Sequence, residues 1–431
     1  MLSFIMRAQE QGHDVRWYFS KPIDWRAAPI GKGIANIIRD WRPWIRWADI
    51  TICGDNTRFV SELEVWRRDR GARIIGASME SASWELDRKA GMDVFKQAKI
   101  DIPPVKRFDR YDDAIKFVMK EGRAFVSKPD GDTDDKALSY VSKSPADLVY
   151  QLRKWKGSHK HKDSFILQEK VSGIEMAVGA WVGPGGFTRG WCPNFEHKKH
   201  FPGDLGCNTG EMGSVLMHTS ASKLADKVLK PLEDRIVATG HVGYVDVNCI
   251  IGDDGTPWPL EFTMRFGWPT FPIQQALIEG DVAEWLLDLA EGRDARPWRM
   301  DEAAVGVVVA CGSFPHGHIP KDQIVGIPIY GAEGRTLEDL HFCEVMAGMA
   351  PQDVDGKVVD RPTYMTAGDY VMVATGVGAD VQAARRRAYG TLDKISMPSS
   401  PHWRIDIGRR LARDLPKLQK LGYAKRWVFD T

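Results

Sequence analysis

Four polar side chains lie close together in GYVDVNCIIGDDGTPWPLEFTMRFG, residues 243–267. The pattern predicts two strands joined by a Gly-Asp turn, with Asp246 and Glu261 on neighbouring strands. Residues of matching parity face one side of a sheet, so the two carboxylates could converge on a divalent cation. Thr263 could add a neutral oxygen, and Arg265 could neutralise a transferring phosphoryl group. A solvated hairpin face is the simpler interpretation of these residues taken alone.

A lysine-bearing hairpin is the second candidate. FVSKPDGDTDDKALSYV (125–141) predicts a strand that ends at Lys128, a polar loop that contains Lys136, and another strand. A lysine that leaves a strand end beside a flexible loop can hold nucleotide phosphates. The alternative is a charged hairpin with solvated lysines.

A third candidate is ILQEKVSGIE (166–175), an apolar strand followed by a turn. Gln168, Glu169 and Val171 could offer backbone groups and an amide to the edge of an adenine. Glu175, where the turn ends, could accept both hydroxyl groups of a ribose. The alternative is an edge strand with a solvated glutamate.

The N-terminal elements that would position these residues alternate in type. The pattern predicts a helix from Leu2 to Gln11, strands at 14–20, 49–55 and 72–77, and helices at 32–48, 56–71 and 79–98. This alternation is typical of an open parallel α/β sheet. Such a sheet normally begins with a strand and a Gly-rich turn. We therefore expect either a truncated start or a lost phosphate loop.

The rest of the chain divides at two predicted linkers. Further helices are predicted at 145–157, 220–240, 271–291 and 379–392, and strands at 303–314 and 370–378. We expect an α/β protein, α+β in parts, with an N-terminal α/β domain at 1–101, a two-part nucleotide-binding domain at 102–300 and a C-terminal mixed-sheet domain at 301–431. A length of 431 residues fits two to four domains.

Composition excludes several classes of partner. The 59 basic and 58 acidic residues leave a net charge of +1, which gives no field that would select nucleic acid or an acidic membrane. The stretch WRPWIRW (41–47) interleaves Arg and Trp as stacking surfaces do, but a packed helix end is the simpler interpretation. The six cysteines lack CxxC spacing, and no apolar run approaches the roughly 20 residues of a membrane span. These features predict a cytoplasmic protein.

In this order the pieces resemble the ATP-grasp superfamily and, within it, the glycinamide ribonucleotide synthetase family. The resemblance rests on the helix ASWELDRKAGMDVFKQAKIDIP (82–103), on EHKKHFPGDLGCNTGEMGS (196–214), on LEFTMRFGWPT (260–270) and on C-terminal segments such as GDYVMVATGVG (368–378). NTGxMG and EFxxRFG at this separation are together quite specific.

The resemblance implies roles for individual residues. Lys89, Lys128 and Lys136 would bind nucleotide phosphates, Gln168, Glu169 and Val171 adenine, and Glu175 ribose; Asp246, Glu261 and Thr263 would hold the metal. His197, Lys198, Asn208, Thr209, Gly210 and Asp55 would line the substrate pocket, and Arg265, Lys128 and Asn208 would act in catalysis. The implied cofactors are ATP and Mg²⁺, with Mn²⁺ as an alternative metal.

Departures from the family pattern cluster on the substrate side. Glu211 replaces a glycine, Thr263 an asparagine and Trp268 an acid, and GDNTRF (54–59) differs from the family's GPExPL. The resemblance implies a ligase that forms an amide through an acyl phosphate, with glycine as carboxylate donor and phosphoribosylamine or a related amine as acceptor. Two alternatives stay open: a ligase for a modified nucleotide or base, and a nucleotide-binding protein without turnover. We expect small-molecule partners and a monomer or homodimer.

Overall fold

The computed structural model describes residues 1–19, 30–129, 139–158, 164–293, 296–317, 319–320, 323–398 and 401–430. The N-terminal region comprises α1 (Leu2–Glu10), β1 (Arg16–Tyr18), β2 (Asn36–Ile38), β3 (Thr51–Ile52), α2 (Val60–Arg70), β4 (Ile74–Ile75), α3 (Met79–Leu86) and α4 (Arg88–Gln97). β1 pairs in parallel with β2, and β3 with β4. The predicted α/β character is therefore confirmed, but within the described ranges these strands form two separate pairs.

The helix predicted at 32–48 is wrong. This segment contains β2 and a 3₁₀ helix at Arg42–Trp44. Gly33 has φ +75°, a left-handed value that ends a right-handed helix, and Pro43 cannot donate the backbone hydrogen bond that a helix interior requires.

Three other predicted helices are divided. The helix at 79–98 divides at Asp87, whose carboxylate accepts from the backbone N–H groups of Lys89 and Ala90 and so starts α4. The helix at 220–240 is interrupted by a 3₁₀ turn at Lys230–Leu232 that contains a proline. The helix at 271–291 divides before Asp281, which caps the second part. In each case a capping or proline signal overrides the apolar periodicity.

Residues 105–169 form a four-stranded sheet, here called the small sheet. Its elements are β5 (Val105–Phe108), α5 (Tyr111–Glu121), β6 (Phe125–Pro129), β7 (Tyr140–Val141), α6 (Pro145–Ser158) and β8 (Phe165–Glu169). The strand order is β5-β8-β6-β7, and every pairing is antiparallel. Leu148, Leu152 and Trp155 of α6 are buried against the sheet, which confirms the predicted amphipathic helix.

A nine-stranded sheet, here called the large sheet, forms the centre of the molecule. The remaining strands are β9 (Ile174–Gly183), β10 (Gly186–Phe187), β11 (Cys192–Glu196), β12 (Lys199–Phe201), β13 (Leu205–Asn208), β14 (Gly213–Leu216), β15 (Gly243–Ile251), β16 (Pro257–Thr263), β17 (Ala303–Ala310), β18 (Pro328–Ile329), β19 (Leu340–Phe342), β20 (Val345–Val354), β21 (Lys357–Thr366) and β22 (Tyr370–Gly378). The large sheet has the order β16-β15-β9-β11-β14-β17-β22-β19, with β10 beside β9.

The large sheet crosses the boundary predicted at residue 300, because β14 pairs with β17. The helices around it are α7 (Lys223–Val228), α8 (Glu233–Ala238), α9 (Thr270–Gln275), α10 (Val282–Ala290), α11 (Gly334–Glu338), α12 (Val381–Leu392) and α13 (Leu411–Lys420). Every residue of β17 is buried, and each fully buried aliphatic side chain contributes roughly 1.5–3 kcal/mol. Among the described residues, no helix has both the length and the apolar character that crossing a membrane requires.

Candidate active site

The predicted hairpin places its polar residues on one face of the large sheet. Asp246 lies opposite Thr263, and Asn248 lies opposite Glu261. On the other side of β15, Asp246 lies opposite Gly179 of β9. The shared face of Asp246 and Glu261 is the arrangement that strand parity predicts.

Lys198 joins three carboxylates at the edge of this face. Its Nζ lies 3.0 Å from Glu175, 3.1 Å from Glu196 and 3.5 Å from Glu261. Burial disfavours the charge, but the three carboxylates together raise the pKa of Lys198 well above its usual value. The structure thus brings together three residues predicted from separate motifs. It adds Glu196, whose signal was its place at the start of the EHKK segment.

Asp246 is buried beneath this cluster. Its Oδ2 accepts hydrogen bonds from Asn194 Nδ2 at 2.8 Å and from the Tyr244 hydroxyl at 3.0 Å. Burial and the nearby Glu196 raise the pKa of Asp246 to about 7. A Cβ at position 179 would collide with the Tyr244 hydroxyl and lie 2.8 Å from the Asp246 carboxylate, so Gly179 makes room for both groups.

Glu211, which replaces a glycine of the family pattern, is a second buried carboxylate in this region. Its side chain accepts a hydrogen bond from the Ser214 hydroxyl. Burial and then Glu196 raise its pKa well above the usual value. Asp246, Glu196 and Glu211 therefore interact electrostatically in one buried region.

The metal-ligand prediction needs a further oxygen, and Asn248 supplies one. Asn248 Nδ2 donates to Glu196 at 2.8 Å, and its Oδ1 is buried without a partner among the described residues. Among the residues that the structure describes, no group of three or more His, Cys, Asp or Glu side chains is arranged to hold a metal ion. Mg²⁺ that is also bound by phosphates needs only one or two carboxylates, so Glu261 and the facing Asn248 fit it. Asp246 lies one row further along, opposite Thr263.

Lys128, in β6 of the small sheet, lies near Lys198 and its partners Glu175 and Glu261. Burial and the nearby Arg88 lower its pKa to about 7, against the opposing effect of Glu261 and Glu175. Lys89, in contrast, is exposed on α4 and pairs with Asp93 at 3.0 Å. Lys136 lies outside the described residues.

The predicted adenine segment connects the two sheets. Gln168 is buried in β8, and Glu169 at the end of that strand pairs with Arg123 at 2.6 Å. Val171 lies in the connection between β8 and β9. Glu175, near the start of β9, forms the ion pair with Lys198. The segment therefore leads directly into the polar face of the large sheet.

Arg265 is held by a residue that sequence reasoning missed. Its Nε lies 3.0 Å from Oε1 of Glu85 in α3. Glu85 Oε2 also accepts from the Met264 backbone N–H at 2.7 Å and from Asn56 Nδ2 at 2.9 Å. Glu85 lies within the ASWELDRK segment (82–89), but nothing in its spacing indicates this pairing.

The predicted substrate residues divide into buried and exposed groups. His197 is buried, and its Nε2 accepts from the Gly408 backbone N–H at 3.1 Å, so it does not line an open pocket. Burial and then Arg410 lower its pKa well below the usual value. Thr209 donates its backbone N–H to the Lys198 carbonyl at 2.9 Å.

The other predicted substrate residues lie at a strand end or in loops. Asn208 and Gly210 are exposed beside Thr209. Asp55 accepts from the Thr57 backbone N–H at 3.0 Å, which is the turn interpretation of this pair rather than a ligand contact.

The chain is similar to several known proteins. Residues 87–270 match the family model described as phosphoribosylglycinamide synthetase, ATP-grasp (A) domain. The chain is 28% identical over 389 residues to a phosphoribosylamine-glycine ligase of Pseudomonas aeruginosa, covering 85% of this chain and 84% of that protein. It is 26% identical over 380 residues to a bifunctional purine biosynthetic protein of Pichia angusta; this match covers 85% of the chain but only 46% of the longer relative.

Among solved structures, a phosphoribosylamine-glycine ligase from Thermotoga maritima aligns with a TM-score of 0.68 at 20% identity, covering 94% of this chain and 97% of that one. The matched segment is similar to an ATP-grasp domain. Over most of its length, the chain is similar to phosphoribosylamine-glycine ligases.

Proposed function

We propose that this protein is an ATP-dependent ligase that joins a carboxylate to an amine. One observation carries the proposal: Lys198 Nζ lies 3.0, 3.1 and 3.5 Å from Glu175, Glu196 and Glu261, and Lys128 of the small sheet lies near enough to these charges for them to affect its pKa. Lysines from both regions could bind the phosphates of a nucleoside triphosphate, and the carboxylates could bind its metal ion.

ATP would bind between the sheets. Lys128 and Lys198 would contact phosphates, the segment around Gln168 and Val171 would flank adenine, and Glu175 would bind the ribose once Lys198 turns to the phosphates. Mg²⁺ would be held by Glu261 and Asn248, with Thr263 and Asp246 in the adjacent row. The bound metal would neutralise negative charge on the β- and γ-phosphates.

The reaction follows from the poor leaving-group ability of a carboxylate oxygen. The substrate carboxylate attacks the γ-phosphorus, ADP leaves, and an acyl phosphate forms. Arg265, fixed by Glu85, places positive charge beside the transferring phosphoryl group. The neutral amine then attacks the acyl carbon, phosphate leaves, and the amide forms after loss of a proton. Positioning and electrostatics are sufficient for these steps without a covalent enzyme nucleophile.

Glycine as donor and phosphoribosylamine as acceptor are the substrates that the names of the relatives support. A changed acceptor is the second candidate, because Glu211 places a buried carboxyl group near Asp246 where the family pattern has a glycine. A cytoplasmic location and a monomeric or homodimeric state stay predictions of the sequence.

The test is ADP formation by the purified protein with ATP and Mg²⁺, first with glycine alone and then with freshly prepared phosphoribosylamine added. Turnover with both supports the named substrate pair. Glycine-dependent trapping of the acyl phosphate by hydroxylamine, unchanged by phosphoribosylamine, supports a changed acceptor. No ADP with either set, while ATP still binds, contradicts ligase activity on these substrates. Lys128→Met is the inactive control, and Lys120→Met, on the exposed face of α5, is its matched partner.

A further inference from the structure

A cavity of about 400 Å³, here called the back cavity, lies between α7 and the C-terminal segment 422–427. Its volume is within the roughly 300–1,000 Å³ of small-molecule sites. Met176 lines the cavity and directly follows Glu175 in β9. Pro193 also lines it and directly precedes Asn194, whose side chain bonds Asp246. Because successive residues of a strand face opposite sides of a sheet, the large sheet separates the back cavity from the candidate active site.

The inner wall of the back cavity is apolar. Met176, Met217 and Trp427 line it, and each is 2% exposed or less. Thr219 adds one polar group to the lining: the residue is 2% exposed, and its hydroxyl is buried with no hydrogen-bond partner in the described part of the chain. Leaving a buried hydroxyl unsatisfied costs free energy, so a ligand that supplied a partner would be stabilised. The inner wall therefore fits an apolar body, with one hydroxyl available for a hydrogen bond.

Two lysines at the mouth of the back cavity have no carboxylate partner among the described residues. Lys223 Nζ donates to the Leu421 carbonyl at 2.6 Å and lies 4.7 Å from the centre of the Tyr423 ring. An ammonium group has three donors, so Lys223 can donate further hydrogen bonds. Lys425 lines the same mouth and is exposed. Two cations at one opening attract an anion.

The other two charged residues of the lining are already paired. Arg426 lies 2.5 Å from Asp301, and Asp226 lies 3.6 Å from Lys230. The net charge of the mouth therefore comes from the two unpaired lysines, and a cationic ligand is disfavoured there.

We propose that the back cavity is a binding site for a small organic anion. Its carboxylate or phosphate monoester group lies between Lys223 and Lys425, and its apolar body contacts the inner wall. Both anionic groups share the same chemistry, because their charged oxygens accept hydrogen bonds from ammonium groups. The proposal goes beyond the ligase activity, since the site lies on the opposite side of the large sheet from the ATP-binding residues.

The test is calorimetric binding of phenyl phosphate and of benzoate to the full chain, first alone and then with Mg²⁺ and a saturating non-hydrolysable ATP analogue. Inorganic phosphate, which has no apolar body, and benzyl alcohol, which has no charge, are the reference ligands. We expect at least one aromatic anion to bind about tenfold more tightly than either reference ligand, with the same affinity when the ATP analogue is present. Tighter binding of phenyl phosphate assigns the site to phosphate monoesters, and tighter binding of benzoate assigns it to carboxylates.

Two variants locate the bound anion. Lys223→Gln is expected to weaken its binding about fivefold or more, because one charge-assisted hydrogen bond is lost. Ala221→Trp, at the exposed mouth, is expected to abolish binding by filling the opening. Lys227→Gln, on the exposed surface of α7 and outside the lining, is the matched control and should bind as wild type does. Circular dichroism and thermal unfolding show whether each variant has folded.

Three results overturn the proposal. The first is displacement of the aromatic anion by the ATP analogue, which would place it in the candidate active site. The second is an affinity for both aromatic anions no greater than that for the reference ligands, and the third is unchanged affinity in both Lys223→Gln and Ala221→Trp. Ligase activity is tested separately, because anion binding that depends on Lys223 leaves the back cavity assigned even where no ADP forms.

Discussion

Glu85 holds Arg265 through an ion pair of 3.0 Å and accepts the backbone N–H of Met264 with its other oxygen. The N-terminal helix α3 therefore fixes both the side chain and the backbone just beyond the β15–β16 hairpin. Burial raises the pKa of Glu85, although Arg265 opposes the shift. The position of the Arg265 side chain therefore depends on Glu85.

Replacing Glu85 by Gln is expected to reduce kcat about tenfold while leaving the KM for ATP nearly unchanged, because Arg265 loses its anchor but not its charge. Steady-state ADP formation measures both constants. Glu80→Gln, on the exposed side of the same helix, is the control. Equal losses in the two variants would assign the effect to the helix rather than to the pair.

Replacing Lys198 by Met is expected to weaken ATP binding about ten- to a hundredfold. Without this cation, Glu175, Glu196 and Glu261 repel one another, and the phosphates lose a counter-charge. Equilibrium binding of a fluorescent ATP analogue measures the change, with Lys199→Met as the neighbouring control. Unchanged affinity would show that Lys198 does not reach the phosphates.

ATP binding is expected to be coupled to proton uptake at Lys128. Its pKa of about 7 leaves roughly half of the amines neutral at pH 7, and nearby phosphates would favour the charged form. Calorimetry in buffers of different ionisation enthalpy measures the number of protons. Lys128→Met is expected to lose this uptake, whereas Lys120→Met should retain it. Identical uptake in wild type and Lys128→Met would refute the assignment.

The raised pKa of Asp246 leads us to expect that the stability of the protein depends on pH. This pKa is about 7 in the folded chain against an ordinary 3.8, so between these values the folded state binds more protons than the unfolded state. The free energy of unfolding therefore falls as pH rises through this window, by at most about 1.4 kcal/mol per pH unit from this group. Urea unfolding in EDTA at pH 5 and 7 should show a shallower fall for Asp246→Asn. Parallel curves would contradict the shift.

The contacts of Arg404 indicate that the C-terminal segment around residues 404–406 stabilises the structure. Arg404 is 1% exposed and bonds Asp406, Asp204 and the Lys199 carbonyl, which fixes the loop before Thr209. Arg404→Met is expected to destabilise the protein by about 1–3 kcal/mol, because it removes hydrogen bonds to Asp406, Asp204 and the Lys199 carbonyl and leaves the partly buried Asp406 without its cation. Thermal unfolding measures the loss, and exposed Arg409→Met should be near wild type. A wild-type melting temperature for Arg404→Met would exclude this clamp.

The sequence identified the class of site but not its internal pairings. The alternation of side chains along the strands correctly predicted that Asp246 and Glu261 share one face of the sheet. The sequence motifs indicated Lys198, Glu175 and Lys128 as further candidates. The partner of Glu261 is Asn248, however, because register depends on the turn and on an irregularity after Asn248 that a pattern does not reveal. Glu85 was missed for a similar reason: its contacts lie far along the chain. The false helix at 32–48 came from giving apolar content more weight than Gly33 and Pro43.

The pairing of β14 with β17 has a practical consequence for engineering the protein. Deleting residues 301–430 at the apparent linker would remove β17, one of the two neighbours of β14, and leave the buried Val215 and Leu216 beside an open row of backbone N–H and C=O groups. An edge of that kind recruits other chains. A shortened version would precipitate rather than serve as a minimal nucleotide-binding fragment, so smaller catalysts should be sought by trimming the β20–β21 hairpin instead.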